Sequence, residues 1–292
     1  MNRLGFSKFN GQGNDFIIID ATKEKIKLSK DQIRQMCKQH FGIGADGLII
    51  VRNSKVAEFY MDYYNRDGSV AEMCGNGIRC MANFIINKAL SDKDKFEIET
   101  LAGVKHVEVI LSSKTRSVQN IKVDMGNPVF DPEKIPVNIT KNTNLKGDKL
   151  LNFTIQIEGR KFNINCISMG NPHCVIFLGG SFNLEKIPIC LWGPKIENHP
   201  IFPKKTNVEF VDIKGENEIA MRVWERGVGE TLACGTGACA GVVYSIILEK
   251  VKGHKIRVNL PGGILYIYWQ GNNLPVYLEG KVNHVFDGEY IF

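Results

Sequence analysis

The stretch SVAEMCGNGIRCMANF, residues 69–84, places a cysteine directly before Gly-Asn-Gly and then takes on a helical pattern. Apolar residues from Ile78 to Leu90 recur at the spacing of a helix face, so we predict a helix that begins just after Cys74. The N–H groups of a first helical turn lack partners within the helix and carry partial positive charge. Cys74 is therefore predicted to lie where a carboxylate binds and where a thiolate is stabilised.

The same motif occurs a second time. CGNGIRC at 74–80 returns as CGTGACA at 234–240, again at the start of an apolar helical run. Asn65-Arg66 and Glu225-Arg226 each begin nine residues before their cysteine, as 74 − 65 and 234 − 225 show. This agreement predicts two similar lobes, each with one cysteine at a helix N-terminus.

The match extends further upstream. Gly13-Asn14 precedes an apolar strand, as does Gly170-Asn171, and Gly47 and Asn207 each stand 27 residues before their cysteine. Each half is rich in strand patterns, and its main helix follows the cysteine. The second helix, predicted from Thr236 to about Lys250, is apolar nearly all round, so we expect strands to surround it. The sequence thus predicts an α+β fold. An earlier helix, Ser29–His40, begins with a Ser-x-x-Gln capping pattern.

Length and composition exclude several other classes of protein. With 292 residues and 43% hydrophobic content, the chain is long enough for two domains. The net charge of +6 comes from scattered lysines and arginines, which predicts a solvated surface and no nucleic-acid partner. We find no transmembrane or secretory segment, so we expect no membrane association, a cytoplasmic protein and reduced cysteines. Away from the repeated motif, Cys37, Cys166 and Cys190 are predicted to be buried, as are Cys80 and Cys239 within the helices.

Two cysteines at two helix N-termini are suited to inverting a carbon centre. If the lobes are related by approximate symmetry, one thiolate could remove a proton from the α-carbon and the other thiol could return one to the opposite face. The helix N–H groups would stabilise the enolate charge that develops on the substrate carboxylate. This chemistry requires no cofactor.

Other interpretations remain open. A zinc site would normally use closely spaced ligands, which neither Cys74/Cys80 nor Cys234/Cys239 provides, so we expect no metal. A thiol–disulfide switch between Cys74 and Cys234 is a second alternative. A purely structural role for both cysteines is a third, and the matched flanking residues argue against it.

The motifs resemble those of diaminopimelate epimerase. The resemblance is carried by NRDGSVAEMCGNGIR (65–79), ERGVGETLACGTGAC (225–239), GQGNDF (11–16), GNPHCV (170–175), TNVEF (206–210) and LPGG (260–263). It implies a fold of two pseudo-symmetric lobes, each a β-barrel-like sheet around a central helix. We expect an N-terminal lobe at 1–122, to which 280–292 return, and a C-terminal lobe at 123–279. The family interconverts LL- and meso-2,6-diaminopimelate without pyridoxal phosphate, in lysine and peptidoglycan biosynthesis, and its members are commonly homodimers.

The resemblance also implies roles for individual residues. Cys74 and Cys234 would be the two acid/base groups, and His173 and Glu225 would set their protonation, with the pairing left open. The remaining residues would bind substrate: Gly75, Asn76, Gly235 and Thr236 at the reacting carboxylate, Asn14 at the reacting amino group, and Asn65, Asn171, Asn207 and Arg226, beside Glu225, at the distal amino-acid end.

One position departs from the resemblance. Many members of the family carry Gln where Gly47 stands, so a side-chain contact near the reacting amino group would be missing or replaced, which puts tight substrate binding in question. The alternative function on the same scaffold is a cofactor-independent racemase of another amino acid, such as histidine. The distal residues favour the epimerase, because a second amino-acid group is needed to pair with the arginine and amides.

Overall fold

The computed structural model describes residues 3–115, 117–139, 149–180, 182–272 and 274–292. The chain divides into two compact units, Met1–Asp124 with Glu279–Phe292 and Met125–Leu278.

Most of the secondary-structure elements are strands, and only a few are helices. The first part of the chain forms β1 (Arg3–Gly11), β2 (Asn14–Asp20), α1 (Lys30–Cys37), β3 (Gly47–Asn53), β4 (Phe59–Asn65), α2 (Gly75–Asn87), β5 (Lys95–Thr100), β6 (Gly103–Leu111) and β7 (Val118–Asp124). The second part forms β8 (Phe153–Ile157), β9 (Arg160–Ser168), β10 (Pro172–Phe177), a 3-10 turn (Leu184–Lys186), α3 (Ile189–Glu197), β11 (Asn207–Gly215), β12 (Glu218–Glu225), β13 (Gly229–Thr231), α4 (Gly235–Ile247), β14 (Lys255–Leu260), β15 (Gly263–Tyr268), β16 (Tyr277–Gly280) and β17 (Asn283–Ile291).

The two units repeat one pattern of strand pairing. In the first, β1–β2, β3–β4 and β5–β6 are antiparallel pairs, while β2–β3 and β4–β5 are parallel. In the second, β9–β10, β11–β12 and β14–β15 are antiparallel, while β10–β11 and β12–β14 are parallel. A parallel pair needs a crossover, and in both units the crossover that carries the cysteine contains the main helix. The predicted α+β class is confirmed.

Each main helix is surrounded by strands of its own unit. Helix α2 packs against β1, β2, β3, β6, β7 and β17, and α4 packs against β9, β10, β11, β12, β14 and β15. Both helices are consequently buried over most of their length. This explains why α4 is apolar nearly all round, since no face of most of the helix meets solvent.

The two helices also end in the same way. In α2, the N–H of Leu90 bonds the carbonyl of Ile85 and that of Ala89 bonds Ile86, the paired bonds of a Schellman cap. Lys250 and Glu249 make the corresponding bonds at the end of α4. Glu249 has a φ of 53°, which ends the helix before Lys250, the predicted limit. Helix α1 begins with the predicted capping box at Ser29 but is shorter than predicted and ends at Cys37.

Among the described residues, no helix is long and apolar enough to cross a membrane. All eight cysteines lie in the described part of the chain, and none forms a disulfide. Cys37, Cys166, Cys80 and Cys239 are buried as predicted. The prediction for Cys190 is wrong. Its neighbours Ile189 and Trp192 lie on the buried face of α3, whereas Cys190 lies on the face that meets solvent.

We expect Cys190 to react first with a maleimide reagent under native conditions. Its thiol is exposed, whereas the core cysteines become reachable only when the protein opens. Peptide mass spectrometry after increasing reaction times would give the order of labelling. In Cys190→Ser the fast-labelled peptide should disappear, and rapid labelling of Cys166 or Cys239 in the native protein would contradict the burial described here.

Candidate active site

The first cysteine site is built on the N-terminal turn of α2. Cys74 is the N-cap residue, half-buried, with extended backbone (φ −139°, ψ 122°). Asn76, in the first turn, donates from Nδ2 to Oδ1 of Asn14 at 2.5 Å, and Asn14 begins β2. The structure thus brings together Cys74, Gly75, Asn76 and Asn14, which we call the N-terminal cysteine site.

A buried arginine that the sequence analysis missed holds this site together. Arg79 has no exposed surface, and its guanidinium donates to the carbonyl of Gly75 at 2.9 Å and to Oδ1 of Asn76 at 2.8 Å. It also donates to Oε1 of Gln12. Because one planar fork reaches several acceptors, Arg79 fixes the Asn76 side chain against the helix. The signal in the sequence was a charged residue inside the apolar run IRCM.

Asn65 is held within its own turn. It ends β4, its Nδ2 donates to the hydroxyl of Ser69 at 3.0 Å, and its backbone N–H donates to the carbonyl of Ser69 at 2.8 Å. Across the β3–β4 ladder it pairs with Gly47. The side chain is partly exposed, and its role at the distal end of a substrate stays a prediction.

The second cysteine site is built on the N-terminal turn of α4. Cys234 is the N-cap residue, again extended (φ −120°, ψ 116°), and its Sγ accepts from the N–H of Gly237 at 3.4 Å. The hydroxyl of Thr236 lies 3.4 Å from the same sulfur. The thiol is buried, and the first helical turn directs its donors at it.

His173 lies fully buried in β10. Its Nδ1 is 2.7 Å from Oε1 of Glu209, and its Nε2 is 3.0 Å from Oδ1 of Asn171. The two predicted residues His173 and Asn171 are therefore in direct contact. Glu209, in β11, was missed by the sequence analysis, although a glutamate inside the apolar strand NVEFV was the available signal.

Glu225 lies at the end of β12 beside Cys234. It accepts a hydrogen bond from the hydroxyl of Thr231. Burial raises the pKa of Glu225, and the Thr231 bond, the charge of His173 and an interaction with the Cys234 thiol oppose that rise. Burial first, and then the negative charges of Glu225 and Glu209, raises the pKa of Cys234 well above its usual value. We call this group of residues the C-terminal cysteine site: Cys234, Gly235, Thr236, Glu225, His173, Asn171 and Glu209.

Asn207 and Arg226 are in direct contact in this unit. Oδ1 of Asn207 accepts from the backbone N–H of Arg226 at 2.9 Å, and Nδ2 donates to the carbonyl of Pro172 at 2.8 Å. The Arg226 side chain is exposed, with one guanidinium N–H 3.2 Å from the carbonyl of Lys204. Most of the Arg226 fork is therefore accessible to a ligand carboxylate.

Each cysteine site has a helix N-terminus that can bind an anion. Among the described residues, no group of three or more histidines, cysteines, aspartates and glutamates is arranged to hold a metal ion. The C-terminal cysteine site adds two carboxylates near its thiol and an imidazole bonded to one of them. Such a cluster of buried and partly buried titratable groups is typical of acid–base chemistry.

Comparison with known proteins places this geometry in a family. The sequence profile of diaminopimelate epimerase matches residues 6–130 and 165–285. The chain is 45% identical to the diaminopimelate epimerase of Leptospira biflexa, over 98% of this chain and 99% of that protein. It is 47% identical to the enzyme of the same name from Halothermothrix orenii, over 99% and 98%. The chain belongs to the diaminopimelate epimerase family. It is accordingly an isomerase of the racemase and epimerase class.

Solved structures of other proteins superpose on this chain over nearly its full length. A hydroxyproline epimerase from Agrobacterium vitis superposes with a TM-score of 0.69 at 12% identity, covering 98% of this chain and 92% of that one. A protein of the phenazine biosynthesis PhzF family from Bacillus anthracis superposes with a TM-score of 0.68 at 16% identity, covering both chains completely. At these identities the likeness shows the shared fold.

Packing around Gly47 leaves no room for a side chain. A Cβ at this position would lie 2.7 Å from Cε2 of Tyr63 and 2.9 Å from the carbonyl oxygen of Tyr64. The first contact is with a buried ring and the second with backbone, so neither yields easily. In this chain the space beside β3 that a glutamine would need is occupied by Tyr63.

We expect Gly47→Gln to destabilise the protein. Forcing a side chain against Tyr63 and the Tyr64 carbonyl should cost about 1–3 kcal/mol of the free energy of unfolding. Denaturant titration would measure the loss. Gly5→Gln is the matched control, since a Cβ at Gly5 in β1 meets nothing within 4 Å. Equal stability of the two variants would contradict the packing argument.

Proposed function

We propose that this chain interconverts LL-2,6-diaminopimelate and meso-diaminopimelate, without a cofactor, by proton transfer through Cys74 and Cys234. The observation that carries the proposal is the pair of matched N-caps in a member of the diaminopimelate epimerase family. Each cysteine has an extended backbone, and each is followed by a glycine that begins a buried helix. The substrate is inferred from the names of the similar proteins, which are diaminopimelate epimerases.

The mechanism requires the two sulfurs to reach one α-carbon from opposite faces. One thiolate takes the α-proton, and the electron pair left behind spreads into the substrate carboxylate. The other thiol then donates its proton to the opposite face, which inverts the centre and exchanges the roles of the two groups. The helix N–H groups at Gly75–Asn76 and Gly235–Thr236 would stabilise the extra carboxylate charge in the transition state.

The environment of Cys234 defines its starting state. Because its pKa is well above the usual value, Cys234 carries its proton at neutral pH, as an acid must. To act as the base it has to lose that proton first. Glu225 is the acceptor we propose, since its pKa is raised and it interacts with the thiol. We therefore assign Glu225 to Cys234, and we place His173 in the same site as the group that balances the charge on Glu225.

The distal end of the substrate explains the exposed fork of Arg226. Diaminopimelate has a second amino-acid group, and its carboxylate can accept two parallel hydrogen bonds from a guanidinium. Asn207 orients this segment by bonding the Arg226 backbone, which leaves the guanidinium accessible. Asn65 and Asn171 would complete the contacts. The homodimer, the cytoplasmic location and a place in lysine and peptidoglycan synthesis stay predictions from the sequence.

A direct assay separates this proposal from the alternative racemase. Purified protein should invert LL-diaminopimelate and leave free histidine and proline unchanged, because those amino acids have no second amino-acid group to pair with Arg226 and its neighbouring amides. Chiral chromatography of the three reactions gives the answer. Faster inversion of histidine than of diaminopimelate would establish the alternative.

We expect product formed in deuterium oxide to carry solvent deuterium at the inverted carbon from the first turnover. The proton that one cysteine removes is not the proton that the other returns, so substrate recovered early should remain mostly unlabelled. Mass spectrometry of both stereoisomers at low conversion measures this. Product largely free of deuterium would show a single group carrying the proton between faces.

Variants of the two cysteines sharpen this test. Cys74→Ala and Cys234→Ala should each abolish inversion in both directions, since each direction needs a base and an acid. Cys190→Ser is the matched control, because Cys190 is exposed on α3 and belongs to neither cysteine site. Normal turnover in either alanine variant would remove that cysteine from the mechanism.

We expect Arg226→Lys to lower kcat/KM for diaminopimelate by about tenfold or more, the loss of one charged hydrogen bond. Lysine keeps the charge but cannot form the bidentate contact. Steady-state kinetics would measure the change, with Arg222→Lys as a control, since Arg222 bonds Glu230 and carbonyls of the Leu184–Ile187 segment. Near-normal kinetics for Arg226→Lys would exclude Arg226 from substrate binding.

A further inference from the structure

The internal repeat provides a comparison that isolates one residue of the C-terminal cysteine site. Ile49 and Glu209 each stand 25 residues before their cysteine, as 74 − 49 and 234 − 209 show. Phe16 and His173 each stand two residues after the matched asparagine, Asn14 or Asn171. The strand registers agree, because Phe16 pairs with Gly47 and His173 pairs with Asn207. An apolar pair in one unit is thus replaced by a histidine and a glutamate in the other.

Ile49 and Glu209 lie against the same point of their respective helices. At Gly77, the third residue of α2, an added Cβ would lie 3.2 Å from Cδ1 of Ile49 and 3.3 Å from Cε1 of Phe16. At Gly237, the third residue of α4, it would lie 2.7 Å from Oε1 of Glu209. The carboxylate of Glu209 therefore packs beneath the first turn of α4, directly under the N-cap cysteine.

Burying the carboxylate of Glu209 at this position lowers the stability of the fold. Its side chain and that of His173 are both fully buried, and Oε2 of Glu209 has no hydrogen-bond partner among the described residues. A buried polar atom without a partner costs free energy that a methyl group in the same place does not. The N-terminal unit shows that an apolar pair fills the space, so packing alone does not explain Glu209.

The hydrogen bonds of His173 show what the glutamate does. An ionised carboxylate only accepts, so Nδ1 of His173, 2.7 Å from Oε1, must carry a proton. The other nitrogen, Nε2, is 3.0 Å from Oδ1 of Asn171, which also only accepts, so in this arrangement Nε2 donates as well and the ring carries both protons. A carboxylate behind an imidazole commonly sets its orientation and stabilises its protonated form.

We propose that Glu209 is a positioning residue for the reaction: its carboxylate keeps the proton on Nδ1 of His173 and holds Nε2 toward Asn171. In this role Glu209 acts through the imidazole, in addition to the direct effect of its charge on the pKa of Cys234. The inference rests on the proposed function, in which His173 balances the charge on Glu225. At these matched positions the C-terminal unit has a buried Glu–His pair, whereas the N-terminal unit has the apolar pair Phe16 and Ile49.

Kinetics provide the first test. Glu209→Gln keeps the shape of the side chain and removes its charge, so we expect kcat to fall by about 10²-fold, in the range of acid–base groups, with KM changed much less. Glu279→Gln is the matched control, a buried carboxylate in β16 that accepts from Asn120 at 2.7 Å and should leave kcat unchanged. Equal kcat for Glu209→Gln and the unmodified protein would overturn the inference.

A spectroscopic test does not depend on activity. In protein with nitrogen-labelled histidine, the Nδ1–H signal of His173 should be present, identified by its absence in His173→Phe. Glu209→Ile removes the acceptor, and the signal should be lost. If it persists unchanged in Glu209→Ile, the carboxylate does not hold that proton and the inference fails.

A double variant separates folding from function. His173→Phe with Glu209→Ile copies the Phe16–Ile49 pair, so it should unfold at a temperature no lower than the unmodified protein and should not invert diaminopimelate. A double variant that keeps normal turnover would overturn the inference. If the unmodified protein itself does not invert diaminopimelate, the proposed function fails, and the Nδ1–H signal still decides the structural part.

Discussion

The structure depends on enclosing one helix in each unit while leaving its first turn chemically usable. Strands surround α2 and α4, so nearly every side chain on these helices is buried and most must be apolar. The backbone N–H groups of the first turn remain polar and available, because they have no partners within the helix. A cysteine at each N-cap places a thiol at this polar end of an otherwise apolar core.

Keeping that end in place requires buried polar groups, and the two units use different ones. In the first, Arg79 donates to the carbonyl of Gly75 and to Asn76, so one guanidinium organises the turn from inside the helix. In the second, Thr236 and the N–H of Gly237 lie against the sulfur of Cys234, with Glu209 packed beneath. The same backbone arrangement is thus combined with different electrostatics around the two thiols.

This difference has a chemical meaning for the proposed reaction, in which two cysteines act in turn. Burial, and then the carboxylates beside it, raise the pKa of Cys234. No such set of charged groups stands at the corresponding described positions of the first unit, where Phe16, Ile49 and Asn65 replace His173, Glu209 and Glu225. Two identical thiols would share one protonation state. An unequal pair allows one to begin as an acid while the other serves as a base.

The sequence by itself determined the repeat, the two helix starts and the candidate residues, because each rests on local spacing. Cys74 and Cys234 are N-caps as the motif predicts, and the capping box at Ser29 forms as predicted. Only the tertiary structure decided the rest. The contact of Glu209 with His173 joins residues 36 positions apart, the exclusion of a side chain at Gly47 comes from Tyr63 on the next strand, and the exposure of Cys190 depends on which face of α3 meets the core. Each depends on neighbours brought together by strand pairing and packing, which local spacing does not contain.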